Sequence, residues 1–196
     1  MAGPIIEVRS AKPEEMPAAV SAVVAAFITD PIARFAMPRP HEYLESMPLA
    51  VREFAGSAFE HASAYVTNCF RGAALWLPPD VHPNEDALVK LFQEVVPPER
   101  LDDMLGTFEE MGKWHPDEPH WYLPMIGVEP HAQGTGLGGA LMRHAVSRFD
   151  ERRVLAYLES SNPRNISLYE RHGFEVMGRI QVGDAPPLTP MLRQPR

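Results

Sequence analysis

The densest chemical signal in the chain is Gly134-Thr135-Gly136-Leu137-Gly138-Gly139, which follows an apolar run at 121–128 and opens a helix-forming stretch at 138–149. Glycines permit a tight turn and close backbone approach, and a helix start presents N–H groups and a positive dipole end to phosphate oxygens. A phosphorylated ligand is therefore the natural occupant. Two further positions bear on chemistry. Glu159 ends the apolar run 154–158, where a carboxylate is costly unless it is used or paired. Tyr169 fits the apolar face of a short helix, and Asn165 lies four residues before it on the same face.

One phosphate-binding motif is matched in letter only. Gly134, Gly136 and Gly139 spell the dinucleotide-binding G-x-G-x-x-G, with Glu159 another 20 residues on as the ribose acid. In that fingerprint the first glycine directly follows the strand, whereas Glu129-Pro130-His131-Ala132-Gln133 intervene here. Only 37 residues remain after Glu159, too few for further strand–helix–strand units, and nothing before residue 120 supplies them. The dinucleotide reading fails on these counts.

The elements that must position these residues follow from periodicity and punctuation. A strand is predicted at 5–9, helices at 13–28, 31–37 and 41–58, and a hairpin from strands 63–69 and 72–77. Helices at 84–95 and 98–113 start at Asn84 and Pro98. Residues 120–160 read as strand, glycine loop, helix and strand, which makes the two strands parallel neighbours joined by a helical crossover. A helix at 163–172 stops at Gly173, and strands near 174–182 and 188–193 follow. The order predicts an α/β (α+β) domain over 1–196 whose mixed sheet is mostly antiparallel with one parallel pair.

Two blocks together carry a family resemblance. Ile126-Gly127-Val128-Glu129-Pro130-His131-Ala132-Gln133-Gly134-Thr135-Gly136-Leu137-Gly138 has an apolar strand ending in V-x-P and then Q-x-x-G-x-G at a helix start. Tyr157-Leu158-Glu159-Ser160-Ser161-Asn162-Pro163-Arg164-Asn165-Ile166-Ser167-Leu168-Tyr169 continues to Gly173-Phe174 as a strand, an N-x-x-x-Y helix and a G-F ending. The pair resembles the GNAT superfamily of acetyl-CoA-dependent N-acetyltransferases, and over 119–182 its puromycin N-acetyltransferase branch.

That resemblance implies a GNAT fold with one splayed parallel strand pair, acetyl-CoA as co-substrate without a metal, and a small-molecule amine acceptor attacking the thioester directly. It assigns the backbone of Gln133, Gly134, Thr135, Gly136, Leu137, Gly138 and Gly139 to the pyrophosphate, and that of Ile126 and Val128 to the pantetheine arm, bound like an added strand. Gly127 reads as a bulge that turns a backbone donor toward the thioester carbonyl. Tyr169 is the general acid, since a phenol of pKa about 10 can protonate a leaving thiolate. Asn165 bonds the pantetheine or its amide, because Asn162 already serves as helix cap before Pro163. Glu159 is the candidate base, and Glu129 ends the neighbouring strand. The alternative of another class is a non-catalytic module that binds acyl-CoA.

Composition sets the frame. The 196 residues are 45% hydrophobic, enough for a core, and the formal net charge is −8. Residues 1–114 hold 17 acids and 9 bases, while 115–196 hold 9 of each, the bases all Arg. The balance argues against nucleic acid. The resemblance places the anionic co-substrate in 116–196 and leaves the acceptor side to 1–115, whose acidity predicts attraction of a cationic amine. The longest apolar stretch, 18–28, is too short for a membrane span and follows Glu14 and Glu15, so a cytoplasmic, membrane-free protein is expected, with a homodimer left open. The lone Cys69 reads as a buried, inert thiol at a strand end. His115-Pro116-Asp117-Glu118-Pro119-His120 reads as a solvated turn and not a metal site, and Trp76 and Trp121 as core.

Overall fold

Helix starts in this chain are set by prolines and caps. In the computed structural model, which describes residues 6–196, β1 (Val8–Ser10) leads through a 3-10 turn, Pro13–Glu15, into α1 (Met16–Ala26). Asp30 caps α2 (Pro31–Ala36) by accepting from the N–H groups of Ile32 and Ala33, and Pro40 opens α3 (Pro40–Ala55). The hairpin β2 (Ala64–Thr67) and β3 (Gly72–Leu77) precedes α4 (Glu85–Val95) and α5 (Pro98–Gly112). Then come β4 (His120–Val128), α6 (Leu137–Arg152), β5 (Leu155–Ser160), α7 (Ile166–Glu170), β6 (Glu175–Val176) and β7 (Thr189–Arg193).

The strands form one sheet of order β1-β2-β3-β4-β5-β7-β6, and β4–β5 is its parallel pair. Pairing of β4 with β5 spans His120–Tyr122 against Leu155–Tyr157 and then stops, so beyond these residues the two strands part. Against β3 the register of β4 slips by one residue: Leu77 faces Tyr122 but Leu75 faces Met125. The extra residue lies at Leu123-Pro124, where proline has no N–H to give a ladder. The slip reverses the alternation of side chains, so Tyr122 and Met125 face the same core cluster, Leu123 and Ile126 the other.

On one face, α1 to α5 enclose Val20, Val23, Met37, Tyr43, Met47, Phe92 and Met104 together with Tyr122, Met125 and Tyr157. On the other, α6 and α7 pack Leu141, Met142, Phe149 and Tyr169 on Trp76, Trp121 and Leu158. Trp121 stacks on Phe149 at 4.6 Å and Trp76 meets it edge-on at 4.8 Å, so both tryptophans are core. Among the described residues no helix is long and apolar enough to cross a membrane.

Three expectations change, and part of a fourth lies outside the described residues. The strand at 174–182 shrinks to Glu175–Val176 and a single bridge from Ile180 to Leu188, and between them Gly178 lies against the Trp114 ring. Helix 163–172 begins as a 3-10 turn, Pro163–Asn165, before α7. Cys69 is exposed in the hairpin turn, with Thr67 and then Arg71 among the groups lowering its thiol pKa. Residue 5 of the first predicted strand lies outside the described residues.

Candidate active site

The loop between β4 and α6 is built by its own hydrogen bonds. The Gln133 side chain donates to the Val128 carbonyl at 3.0 Å, and the Thr135 hydroxyl to the Ala132 carbonyl at 2.6 Å. Gly136 stands at the cap of α6 with φ of +94°, a left-handed conformation that strains any other L residue. No side chain caps this helix start, which leaves its first N–H groups to a ligand or water. The N–H of Gln133 itself bonds the Pro130 carbonyl, so of the residues assigned to phosphate this one contributes its side chain to loop shape instead.

A groove of about 620 Å³ runs along this loop, from the open edge of β4 at Ile126, Gly127 and Val128 past Gly134 and Gly136 to Gly139. Arg143, Arg164, Arg171 and His172 line it, against one carboxylate, Asp30. Exposed glycine backbone, a helix start and three arginines fit a phosphorylated, extended ligand such as coenzyme A. Gly127 is in regular register with Ala73, so the bulge expected there sits instead at Leu123-Pro124. What requires glycine at 127 is α1: a Cβ would lie 2.7 Å from the Ala26 Cβ and 3.1 Å from the Val23 Cα.

A second cavity, about 100 Å³, lies between the parting strands and helices α2 to α5. Groove and cavity share Phe27, Ile126, Asn165 and Tyr169, so the two spaces meet at this point. Asn165 makes no capping bond, as expected, since Asn162 accepts from the Arg164 N–H in that role. Tyr169 is 4% exposed, and burial, with the nearby Asp30 charge second, pushes its phenol above the ordinary value. Its proton is in place throughout the neutral range.

Glu159 projects into the cavity with its side chain 2% exposed; the Tyr122 and Tyr157 hydroxyls and His115 Nε2 lie beside its carboxylate, and none meets it in well-formed hydrogen-bond geometry. Such a group is costly to fold around and marks a position where a polar partner arrives from outside. Burial and the Glu159 charge raise the phenol pKa values of Tyr122 and Tyr157 beside it. Glu129 is not part of this site: it lines neither space and pairs with Arg71 at 3.1 Å on the surface.

The walls differ from expectation in charge. Residues of 1–114 that line the cavity are uncharged, among them Phe27, Met37, Phe54, Met104 and Phe108, so the acids of that part lie elsewhere and the carboxylate in the cavity is Glu159. Two features escaped the sequence reading. Ser161, the residue after β5, donates to buried Asp30 at 2.6 Å, a pairing across 131 positions that no local pattern announces. His115, expected in a solvated turn, packs on Tyr122 and Tyr157 at 4.6 and 4.5 Å and faces Glu159. Among the described residues no group of three or more His, Cys, Asp or Glu is placed to hold a metal ion.

Comparison with known proteins agrees with this geometry. Residues 101–174 match the Acetyltransferase (GNAT) family. The mycothiol acetyltransferase of Geodermatophilus obscurus is 43% identical over 53 residues, 26% of this chain and 17% of that protein. A peptidyl-lysine N-acetyltransferase of Escherichia coli is 27% identical over 104 residues, 47% of this chain and 69% of its own. A solved Corynebacterium glutamicum histone acetyltransferase and related acetyltransferase superposes with TM-score 0.67 at 27% identity over 97% of both chains. The chain spans 17–24% of the length of the mycothiol acetyltransferases it matches. Strand order, the parted parallel pair, the glycine loop and these likenesses agree on a GNAT-like fold, in which residues 101–174 match the Acetyltransferase (GNAT) family.

Proposed function

We propose that this protein is an N-acetyltransferase that moves the acetyl group of acetyl-CoA to a small primary amine with an apolar body, by direct attack of the amine on the thioester. The observation that carries the reading is the junction at Phe27, Ile126, Asn165 and Tyr169, where a groove suited to a phosphorylated ligand meets a cavity lined by one buried carboxylate. A donor lying along β4 would bring its acyl end to that junction, and an acceptor in the cavity would meet it there.

In this reading the loop and the start of α6 hold the pyrophosphate, and the open edge of β4 bonds the pantetheine arm. Asn165 orients that arm. Glu159 receives the acceptor ammonium, exchanges the cost of an unpaired buried charge for an ion pair, and takes the proton that must leave before nitrogen can attack. Tyr169 keeps its proton until negative charge develops on sulfur, then donates to it. The aromatic and methionine walls fit an aryl or alkyl body, and they penalise a second charge that would find no partner there.

The test is thiol release from acetyl-CoA over a panel of arylalkylamines, alkylamines, polyamines and lysine peptides. Turnover of monoamines with apolar bodies, and little with polyamines, is the expected result. Tight acetyl-CoA binding by calorimetry with no thiol release for any amine would overturn the reading in favour of a non-catalytic acyl-CoA-binding module.

A further inference from the structure

Glu159 lines the cavity with its side chain 2% exposed, so a proton it takes up needs a way out that does not cross the bound acceptor. The ring that faces it is His115, half-buried in the turn between α5 and β4, with Nε2 3.5 Å from Glu159 Oε1. On its other side, His115 Nδ1 lies 3.0 Å from Nε2 of His120, and His120 Nδ1 lies 2.8 Å from the Glu118 carbonyl in an exposed turn. The chain of contacts runs from the buried carboxylate to the surface.

The Glu118 carbonyl fixes the tautomers, because it only accepts: His120 Nδ1 carries a proton and, in the neutral ring, Nε2 is the acceptor. His115 then donates from Nδ1, and a neutral His115 turns a bare Nε2 toward Glu159. Two lone pairs facing each other in a buried site repel. The contact becomes attractive only when a proton lies on His115 Nε2 or on Glu159, so the pair is built to take up one proton.

We propose that His115 and His120 carry to solvent the proton that Glu159 removes from the acceptor ammonium, a role that rests on the reading of Glu159 as the base. The N–H bond of the ammonium breaks as an O–H bond forms on Glu159. That proton passes to His115 Nε2, and the imidazolium so formed is stabilised through its Nδ1–H bond to His120. One proton then leaves the His115–His120 pair for water, and the carboxylate is restored. The two histidines act through Glu159 and touch no reacting atom. The titratable groups facing the pair are Tyr122 and His120 from β4, Tyr157 and Glu159 from β5, and His82 from the segment before α4. Both phenols stay neutral across the working range, since burial and Glu159 raise their pKa values.

The test has one arm in the free protein and one in turnover. Imidazole nitrogen NMR of the full chain should show neutral His115 protonated on Nδ1, and Glu159→Gln should move its Nε2 resonance, since the facing carboxylate is lost. With 2-phenylethylamine as probe acceptor, His115→Gln should lower kcat/KM about 10-fold near neutral pH, less than the roughly 10²-fold minimum for losing the base itself. It should also displace the pH profile, leave the KM for acetyl-CoA unchanged, and be partly rescued by added imidazole. His120→Gln should give a weaker form of the same profile. A His115 Nε2 resonance indifferent to Glu159→Gln overturns the proposal, as does a wild-type pH profile for His115→Gln while Glu159→Gln is inactive. Full activity of Glu159→Gln at every pH would remove the base and the relay together.

Discussion

The hydroxyl of Ser161 donates a 2.6 Å hydrogen bond to Asp30 Oδ2 while Asp30 Oδ1 caps α2, so one buried carboxylate joins the roof of the acceptor cavity to the strand end that leads to Asn165 and Tyr169. Three donors converge on this carboxylate, yet it is buried enough that desolvation dominates and its pKa is raised. The joint holds both walls at the point where donor and acceptor spaces meet.

Stability should therefore respond to Asp30 in an unusual direction. With a folded pKa above the unfolded value, the native state binds more protons between the two, and the stability linked to this group is full below about 3.8. It is lost as pH rises through the raised pKa. In urea unfolding, Asp30→Asn should gain on wild type as pH rises through that range, because it keeps the cap acceptor without the buried charge. Asp30→Ala should cost about 1–2 kcal/mol below that range, the usual loss for an N-cap, and less above it, since it too lacks the buried charge. Parallel pH curves for wild type and Asp30→Asn would show that the carboxylate carries no such penalty.

Asp150 behaves in the opposite sense. It accepts two 2.7 Å bonds from Arg193 and one from the Arg196 N–H, tying α6 to β7, and these partners lower its pKa. The stability from this pair is present above about 3.8 and is lost as pH falls through the depressed folded value. Arg193 is 2% exposed, so Asp150→Ala leaves a buried cation with one remaining bond, to the His172 carbonyl, and should destabilise by about 3 kcal/mol. Denaturant midpoints at pH 7 measure this, and a loss below 1 kcal/mol would mean that solvent reaches Arg193.

Two glycines of the site should fail for different reasons. Gly127→Ala puts a methyl group 2.7 Å from the Ala26 Cβ, and the clash of β4 with α1 should cost about 1–3 kcal/mol of stability. At Gly136 the nearest atom to an added Cβ is 3.5 Å away, so space is available and the strain comes from φ of +94°. Gly136→Val should weaken acetyl-CoA binding, measured by calorimetry, more than it lowers Tm. Unaltered affinity would remove the loop from the phosphate site.

The contrast explains what was legible in the sequence. The loop, the strand–loop–helix–strand unit and Tyr169 with Asn165 are local patterns, set by glycine, proline and helical spacing, and they appear where the spacing puts them. The slip at Leu123-Pro124 was misplaced to Gly127 because a strand glycine signals either a bulge or a close neighbour, and only the position of α1 decides. Charge was misread in the same way: a net balance over 1–114 does not say which side chains turn inward, and those that do are apolar. Asp30 with Ser161, and His115 with Glu159, are meetings of distant segments whose separation carries no periodic signal.

Tyr169 offers the most direct probe of the chemistry. Its phenol is buried and held protonated, and its position lines both spaces. Tyr169→Phe keeps the ring that meets Phe174 at 6.2 Å and removes only the hydroxyl, so folding and acetyl-CoA affinity should change little. Turnover should drop by roughly 10²-fold, within the range for loss of a general acid. An acetyl donor whose thiol leaves readily as the anion needs less protonation, so the variant's deficit should narrow with a more acidic thioester of the same pantetheine arm. A deficit independent of the leaving thiol would assign Tyr169 to positioning, and an unchanged rate would remove it from the mechanism.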